Sequence, residues 1–259
     1  MRALFALKDN VFRRLATVVT ITVPEGTIQA VASTGMAEWI AEGVSIPESA
    51  DAITPFPVYS YKLASLVRLN NSFVADTAFD LEAYLLNAFA RRFGRAEETA
   101  FLNGTGGNEP TGLLSDSGAE IGFTAASAAT FTYDEVVKLY FSLKAEYRSN
   151  AVFLMHDDTA MALRILKDSA GNPIWNAQND TIFGKPVITT ASMPLPTAGA
   201  KPIAFGDLSY YWVIERQPLS IKRLNERYAI QGQIGFAAYE RLDGKLILPE
   251  AVKVLQMAG

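Results

Sequence analysis

The side chains that most often carry chemistry are scarce in this chain and poorly spaced for it. There is one histidine, His156, and no cysteine. Thiolate nucleophiles, disulfides and cysteine-ligated zinc or iron–sulfur centres are therefore excluded, as is any relay or metal site that needs two imidazoles. His156-Asp157-Asp158 sets an imidazole beside two carboxylates, but successive residues of a helix or strand point in different directions. The trio reads as a helix cap and not as a convergent metal site. Gly104-Thr105-Gly106-Gly107 has the composition of a phosphate cradle. Such loops precede a helix, whose free amides and dipole then face the anion. Here the glycines follow a helical pattern, and no Gly-Lys-Ser/Thr completes the motif, so they read as a helix stop and turn. Glu38 and Glu42 pair two carboxylates. On an extended strand they share a face ~13 Å apart, too far for paired acid–base work, and they read as solvated or inter-subunit charges. Serine-based catalysis would need a base beside the nucleophile, and no G-x-S-x-G elbow appears. The expectation is no catalytic residue, no cofactor and no metal; an enzyme or ligand-binding protein using Asp, Glu or Lys chemistry is the rival reading.

Composition bounds the remaining classes. In 259 residues, 49% are hydrophobic and 19% charged, which is a folded chain with a core and not a disordered one. The formal charge is −4. A protein that grips nucleic acid usually shows a basic face and a high pI; this chain as a whole does not. The longest apolar runs, such as Ala151 to Met155, fall far short of the ~20 residues of a membrane helix, so no membrane partner is expected. Lys8, Asp9, Arg13 and Arg14 interrupt the N-terminus, which does not read as a signal peptide.

The elements come next. Residues 1–24 read as an extended arm, where Arg2, Lys8, Arg13 and Arg14 against Asp9 give 4 − 1 = +3. Such an arm is either a solvated tail or a segment lying on a neighbour's acidic surface or near DNA phosphates. Residues 25–62 read as a long two-stranded ribbon. Ala37, Trp39 and Ala41 alternate with Glu38, Ile40 and Glu42, and after a proline-rich loop a second alternation runs through Tyr59, Tyr61, Leu63, Val67 and Leu69. An isolated ribbon is marginal in water, so it needs a partner surface, and an adjacent subunit is the natural one. Residues 76–103 read as a long helix. Asp76 is its N-cap, and Leu81, Leu85, Ala88, Phe89, Phe93, Ala96 and Ala100 recur at helical spacing. Arg91, Arg92, Arg95, Glu97 and Glu98 fall largely on other faces, and Asn103-Gly104 ends the helix. Thr132-Tyr133-Asp134-Glu135 is a capping box. Residues 151–155 read as a buried strand, followed by a short helix capped by Asp157 or Asp158, a turn at 168–173, and strands at 186–190, 203–205, 212–214 and 219–224. The end reads as a hairpin, with strands 233–241 and 245–255 joined by a turn at Asp243-Gly244.

Segments distributed along the chain resemble one family in the order of their parts. Ala37-Glu38-Trp39-Ile40-Ala41-Glu42-Gly43 with Ile46-Pro47-Glu48-Ser49, and Phe101-Leu102-Asn103-Gly104-Thr105-Gly106-Gly107-Asn108-Glu109-Pro110-Thr111-Gly112-Leu113-Leu114, carry much of the likeness. Phe183-Gly184-Lys185-Pro186-Val187, Phe205-Gly206-Asp207-Leu208 and Phe236-Ala237-Ala238-Tyr239-Glu240-Arg241-Leu242-Asp243-Gly244 complete it. Together they resemble the tailed-bacteriophage major capsid proteins, whose shell fold is named after phage Hong Kong 97. That resemblance implies an α+β fold: an N-terminal arm (1–24), an extended β-ribbon loop (25–62), a peripheral domain (63–118 and 225–259) holding the spine helix 76–103, and an α/β axial domain (119–224). It also implies a virion protein, assembled in the bacterial cytoplasm as pentamers and hexamers of itself around double-stranded DNA held without sequence specificity. Portal, scaffold or protease, and decoration proteins are its further implied partners. Arg13, Arg14, Glu38, Trp39 and Glu42 are the expected inter-subunit contacts. An encapsulin-type compartment and a gene-transfer-agent shell share the implied fold and are the alternatives. Two departures from the family stand out. The scaffolding segment of many relatives is missing, which implies a processed subunit or a separate scaffold. No lysine lies between Glu25 and Tyr61 and no asparagine follows Asn225, so no Lys–Asn cross-link from the ribbon is expected and the shell is non-covalent.

Overall fold

The computed structural model describes residues 10–22, 26–33, 52–70, 72, 81–167, 171–176 and 178–259. At its start, the Asn10 side chain accepts from the Arg13 amide at 3.0 Å and caps the short helix α1 (Val11–Leu15). Four strands follow: β1 (Thr17–Thr20), β2 (Gly26–Ser33), β3 (Ala52–Val58) and β4 (Tyr61–Asn70). The long helix α2 (Leu81–Asn103) has 23 described residues, about 34 Å at 1.5 Å per residue. Then come β5 (Glu120–Thr124), α3 (Tyr133–Ser142), β6 (Val152–Met155), α4 (Asp157–Ile165), β7 (Trp175–Asn176), β8 (Thr181–Ile182), β9 (Lys185–Thr189) and β10 (Ile203–Gly206). Two long strands, β11 (Tyr211–Leu224) and β12 (Gln233–Leu246), precede the short β13 (Val252–Gln256).

Two sheets carry the body. One has the order β1-β11-β12-β4, with β1 parallel to β11 and the rest antiparallel. The other has seven strands in the order β5-β13-β10-β6-β9-β8-β7. Helix α2 lays Leu85, Phe89 and Phe93 on the first sheet, against Leu219, Ile234, Phe236 and Ala238. Each such side chain contributes roughly 1.5–3 kcal/mol when fully buried. One core of the seven-stranded sheet forms around Phe153, Phe205 and Leu139, with α3 and α4 covering it. A third core joins the two sheets. In it Phe12, Phe101 and Tyr211 meet Leu154, Ala204, Val252 and Val254.

Several expectations change here. Residues 10–22 belong to the body and not to a free arm, because Phe12 inserts edge-on to Tyr211 at 4.9 Å and β1 joins β11. Residues 61–70 pair with β12, so the ribbon proper is β2 with β3. The strands expected at 212–214 and 219–224 are one bent strand, with register shifts around Gln217 where Pro218 cannot donate. Asp243-Gly244 is not a turn: β12 runs straight through it, pairing Ile214 with Asp243 and Val213 with Gly244. Glycine is required there by closeness, since a Cβ would lie 2.6 Å from the Tyr211 hydroxyl and 2.9 Å from the Phe101 ring. The chain reverses instead at the 3-10 turn Pro249–Ala251 and crosses to the other sheet as β13. Sheet membership therefore departs from the expected division of the chain at two strands, β11 and β13. Helix α2 stops at Asn103 as expected, but Gly104 is needed for packing and not for a left-handed φ; its Cβ would sit 2.2 Å from the Pro110 carbonyl oxygen. The cap of α4 is His156 itself, whose Nδ1 accepts from the Asp158 amide at 3.1 Å, with Asp157 and Asp158 as first-turn acids. The expected cap Asp76 lies outside the described residues.

Candidate functional site

The ribbon is built to present a face and not an edge. Among the described residues, strands β2 and β3 pair with each other and with no other strand, from Gly26 opposite Val58 to Ser33 opposite Ala52. Pro55 and Pro57 stand within β3. Proline has no N–H, so the ladder tolerates it where the donor would point away from the partner strand. The free edge of β3 is then poor in donors and unsuited to adding a further strand. The base is pinned to β12. The Tyr59 amide donates to Asp243 Oδ2 at 2.9 Å, Lys245 Nζ donates to the Pro57 carbonyl at 2.9 Å, and Arg241 Nη1 reaches the Ser60 carbonyl at 3.4 Å. Burial raises the Asp243 carboxyl pKa, and the amides of Tyr59 and Gly244 pull it back down.

Of the five expected contact residues, Glu38, Trp39 and Glu42 lie outside the described residues. Arg14 is exposed on α1. Arg13 points inward and its charge is used within the subunit. Its side chain is 8% exposed, and it donates from Nη1 to Glu97 Oε1 at 2.8 Å and from Nη2 to Glu215 Oε2. Asn10 Nδ2 donates to Glu97 Oε2 at 3.1 Å and to the Gly94 carbonyl at 3.3 Å. The four chain segments meeting here are α1, α2, β11 and β12, the last through Glu240, which is hydrogen-bonded to Glu97.

Three carboxylates around one guanidinium cannot all ionise cheaply in a buried place. Burial, then the neighbouring Glu97 charge, pushes the Glu240 pKa up to about 9. Burial also raises Glu97, against the pull of Arg13. At neutral pH Glu240 holds its proton and donates it toward Glu97, while its Oε1 is buried without a partner among the described residues. This is a structural lock on the N-terminal helix. Its members other than Arg13 escaped the sequence reading, although a signal existed: Glu240 shares strand parity with the buried Ile234, Phe236 and Ala238, and Glu97 is one helical turn beyond Phe93.

The seven-stranded end carries a different surface. Phe141, Met161 and Ile165 are 64%, 61% and 70% exposed, with Met161 and Ile165 one turn apart on α4. Arg148 lies over the rings of Tyr140 and Phe141. Contiguous apolar groups left in water mark contact surfaces, and the Met161–Ile165 pair is the candidate here. Among the described residues no cluster of three or more His, Cys, Asp or Glu side chains could hold a metal ion.

Comparison with known proteins fits this arrangement. The chain matches the sequence model of the Phage capsid family over residues 6–257. No curated protein matches it by sequence. Among solved structures it is similar to the capsid of an empty GTA particle, at 30% identity and a TM-score of 0.85, covering 96% of this chain and 90% of that one. It also superposes on a chain of Microbacterium phage Oxtober96, at 16% identity and a TM-score of 0.71, with 96% and 91% covered. A chain of Mycobacterium phage Bobi, at 15% identity and 0.70, is covered to 91% by 97% of this one. These two distant likenesses speak for the fold alone, the mixed helix-and-strand shell fold. With a family match over nearly its whole length, the chain belongs to the phage capsid family.

Proposed function

We propose that this chain is a structural major capsid protein, and not an enzyme, whose copies close into an icosahedral shell as pentamers and hexamers around double-stranded DNA. The observation that carries the reading is the ribbon β2–β3. Among the described residues it belongs to neither packed sheet and is pinned at its base, and prolines stand on the β3 edge, so its faces are left for a partner surface. Identical neighbours supply that surface, and Glu38, Trp39 and Glu42, which fall between β2 and β3 in sequence, with Arg14 on α1 are the proposed contacts. Many modest contacts repeated around a closed shell give strong closure through multivalency. Joining is non-covalent, since the ribbon offers no lysine and the C-terminal region no asparagine. Portal, scaffold or protease and decoration proteins complete the proposed partners, and assembly takes place in the bacterial cytoplasm. No described helix is long and apolar enough to cross a membrane.

A second reading has its own support. The GTA capsid is 30% identical, against 16% and 15% for the two phage chains above, which favours a gene-transfer-agent shell of the same construction. Sequencing the DNA protected inside purified particles separates the two: one defined genome for a phage, heterogeneous fragments for a transfer particle. Sedimentation velocity tests the shared claim. Wild-type protein sediments as very large closed particles, and Glu42→Lys shifts the material to slow, folded subunits. Wild-type protein sedimenting as a monomer at every concentration contradicts the proposal.

A further inference from the structure

The outer side of α2 is cationic without compensation. Arg91, Arg92 and Arg95 are exposed and have no ion-pair partner among the described residues. Between Asn87 and Asn103 the only acids are Glu97 and Glu98, and both are buried, at 1% and 9% exposure. Glu97 is committed to Arg13 and Asn10. Glu98 sits beneath the surface, where burial raises its pKa and the hydroxyl of Thr190, the amides at the start of α1 and the Arg14 charge lower it. The exposed side of the helix therefore carries three arginines, +3, on a chain whose net charge is −4.

This stripe also borders a built cleft. An opening of about 770 Å³ is lined by Arg91, Arg95, Glu98 and Thr99 on the helix and by Ala191 and Ser192 opposite. Its far wall is fixed, because Asn103 Nδ2 donates to the Ser192 carbonyl at 2.8 Å and the Thr99 and Ser192 hydroxyls lie 3.4 Å apart. Exposed Arg14 stands nearby, close enough to Glu98 to act on it electrostatically.

The chemistry of the cleft selects its occupant. Protein–protein hot spots pair arginine with buried Trp or Tyr anchors, and from Arg91 to Thr99 the exposed residues are three arginines, an alanine and a threonine, with no aromatic anchor among them. No large apolar side chain is exposed in that stretch; Tyr84 lies two turns before it on the helix, and Phe141, Met161 and Ile165 are on other elements. Guanidinium groups with hydroxyl donors suit phosphate oxygens. One turn of helix, ~6 Å between Arg91 and Arg95, faces three to four charges of a duplex that carries roughly one per 1.7 Å. We infer that the Arg91–Arg92–Arg95 side of α2 is the nucleic-acid-facing surface of the subunit, contacting the phosphate backbone of double-stranded DNA without reading its bases. This rests on the shell reading and deepens it, because it fixes which side of the subunit faces inward.

The test is fluorescence anisotropy of a labelled 30-base-pair duplex titrated at several salt concentrations with the full chain, every protein, including the one with the wild-type stripe, carrying Glu42→Lys so that the subunits stay unassembled and this side is open. The compared protein carries Arg91→Gln, Arg92→Gln and Arg95→Gln together. A control with the same loss of charge carries Lys138→Gln, Arg164→Gln and Lys167→Gln, all exposed near α3 and α4. The inference expects the helix variant to lose affinity on the order of a hundredfold near physiological salt and its salt slope to fall by about 2.7. The control and the melting temperatures stay near wild type. Equal binding by wild type and the helix variant, or equal loss in the control, overturns it. So does a wild type that ignores the duplex but binds a synthetic peptide of residues 34–51, which carries four acids and no base; the stripe is then a protein contact. Failure of the shell reading shows separately, as wild-type protein that never sediments as particles whatever the duplex does.

Discussion

Arg13 and Glu240 hold the N-terminal helix to the body by opposite means, one by keeping its charge and one by losing it. Arg13 satisfies two carboxylates in a site it nearly fills. Removing one partner of a buried ion pair leaves the other charge stranded, which costs about 3–5 kcal/mol. Arg13→Gln is therefore expected to lower the stability of the unassembled subunit by that amount in urea denaturation, whereas Arg14→Gln at an exposed position changes it little. Glu240 acts in the reverse sense. Unfolded, it titrates near 4.5, and folded it is pushed up to about 9. Between those values the native chain holds a proton that the unfolded chain has released, so stability is highest at the acid end and falls as pH rises, levelling off above about 9. Glu240→Gln keeps a donor toward Glu97 and removes the titration. Its stability is expected to decline less steeply across this window, by up to ~1.4 kcal/mol per pH unit, in urea midpoints taken from pH 5 to 9. Parallel pH profiles for variant and wild type would count against the protonated Glu240.

Elements whose stabilising contacts are local were legible in the sequence, and those fixed by distant packing were not. Glu135 was found from spacing alone. Its Oε2 accepts from the Thr132 amide at 2.7 Å, and although burial works against it, this bond and the Ala126 amide hold its pKa below the usual range. The long helix α2 was readable because Leu85, Phe89 and Phe93 repeat at one turn. The same row runs on to Glu97, but nothing local announces its partner Arg13, 84 residues away. Asp243-Gly244 has the composition of a hairpin turn, yet the pair lies inside β12 because the rings of Tyr211 and Phe101 leave no room for a side chain at 244. Gly244→Ala must displace those rings from the core that joins the two sheets. The expected cost is about 1–3 kcal/mol, read as a lower urea midpoint with an unchanged slope. Wild-type stability in that variant would mean the close approach at 244 is not fixed. The sites for a partner were the least legible of all, since Glu38, Trp39 and Glu42 rest on an alternating pattern alone and lie outside the described residues.

At the scale of the molecule, two sheets and three cores make a body that is complete in itself, while the ribbon β2–β3 is not. Exposed Phe141, Met161 and Ile165 at one end and the arginine stripe on α2 give the remaining surface two characters, apolar and cationic. A subunit with unlike surfaces on different sides suits a closed shell, in which neighbours, interior and exterior make different demands. The central claim is that the missing partner surface of this chain is found on identical copies. Negative-stain electron microscopy of the purified wild-type protein tests it most directly. Uniform hollow polyhedral particles are the expected result, and a field of small single subunits that persists as concentration is raised would contradict the account.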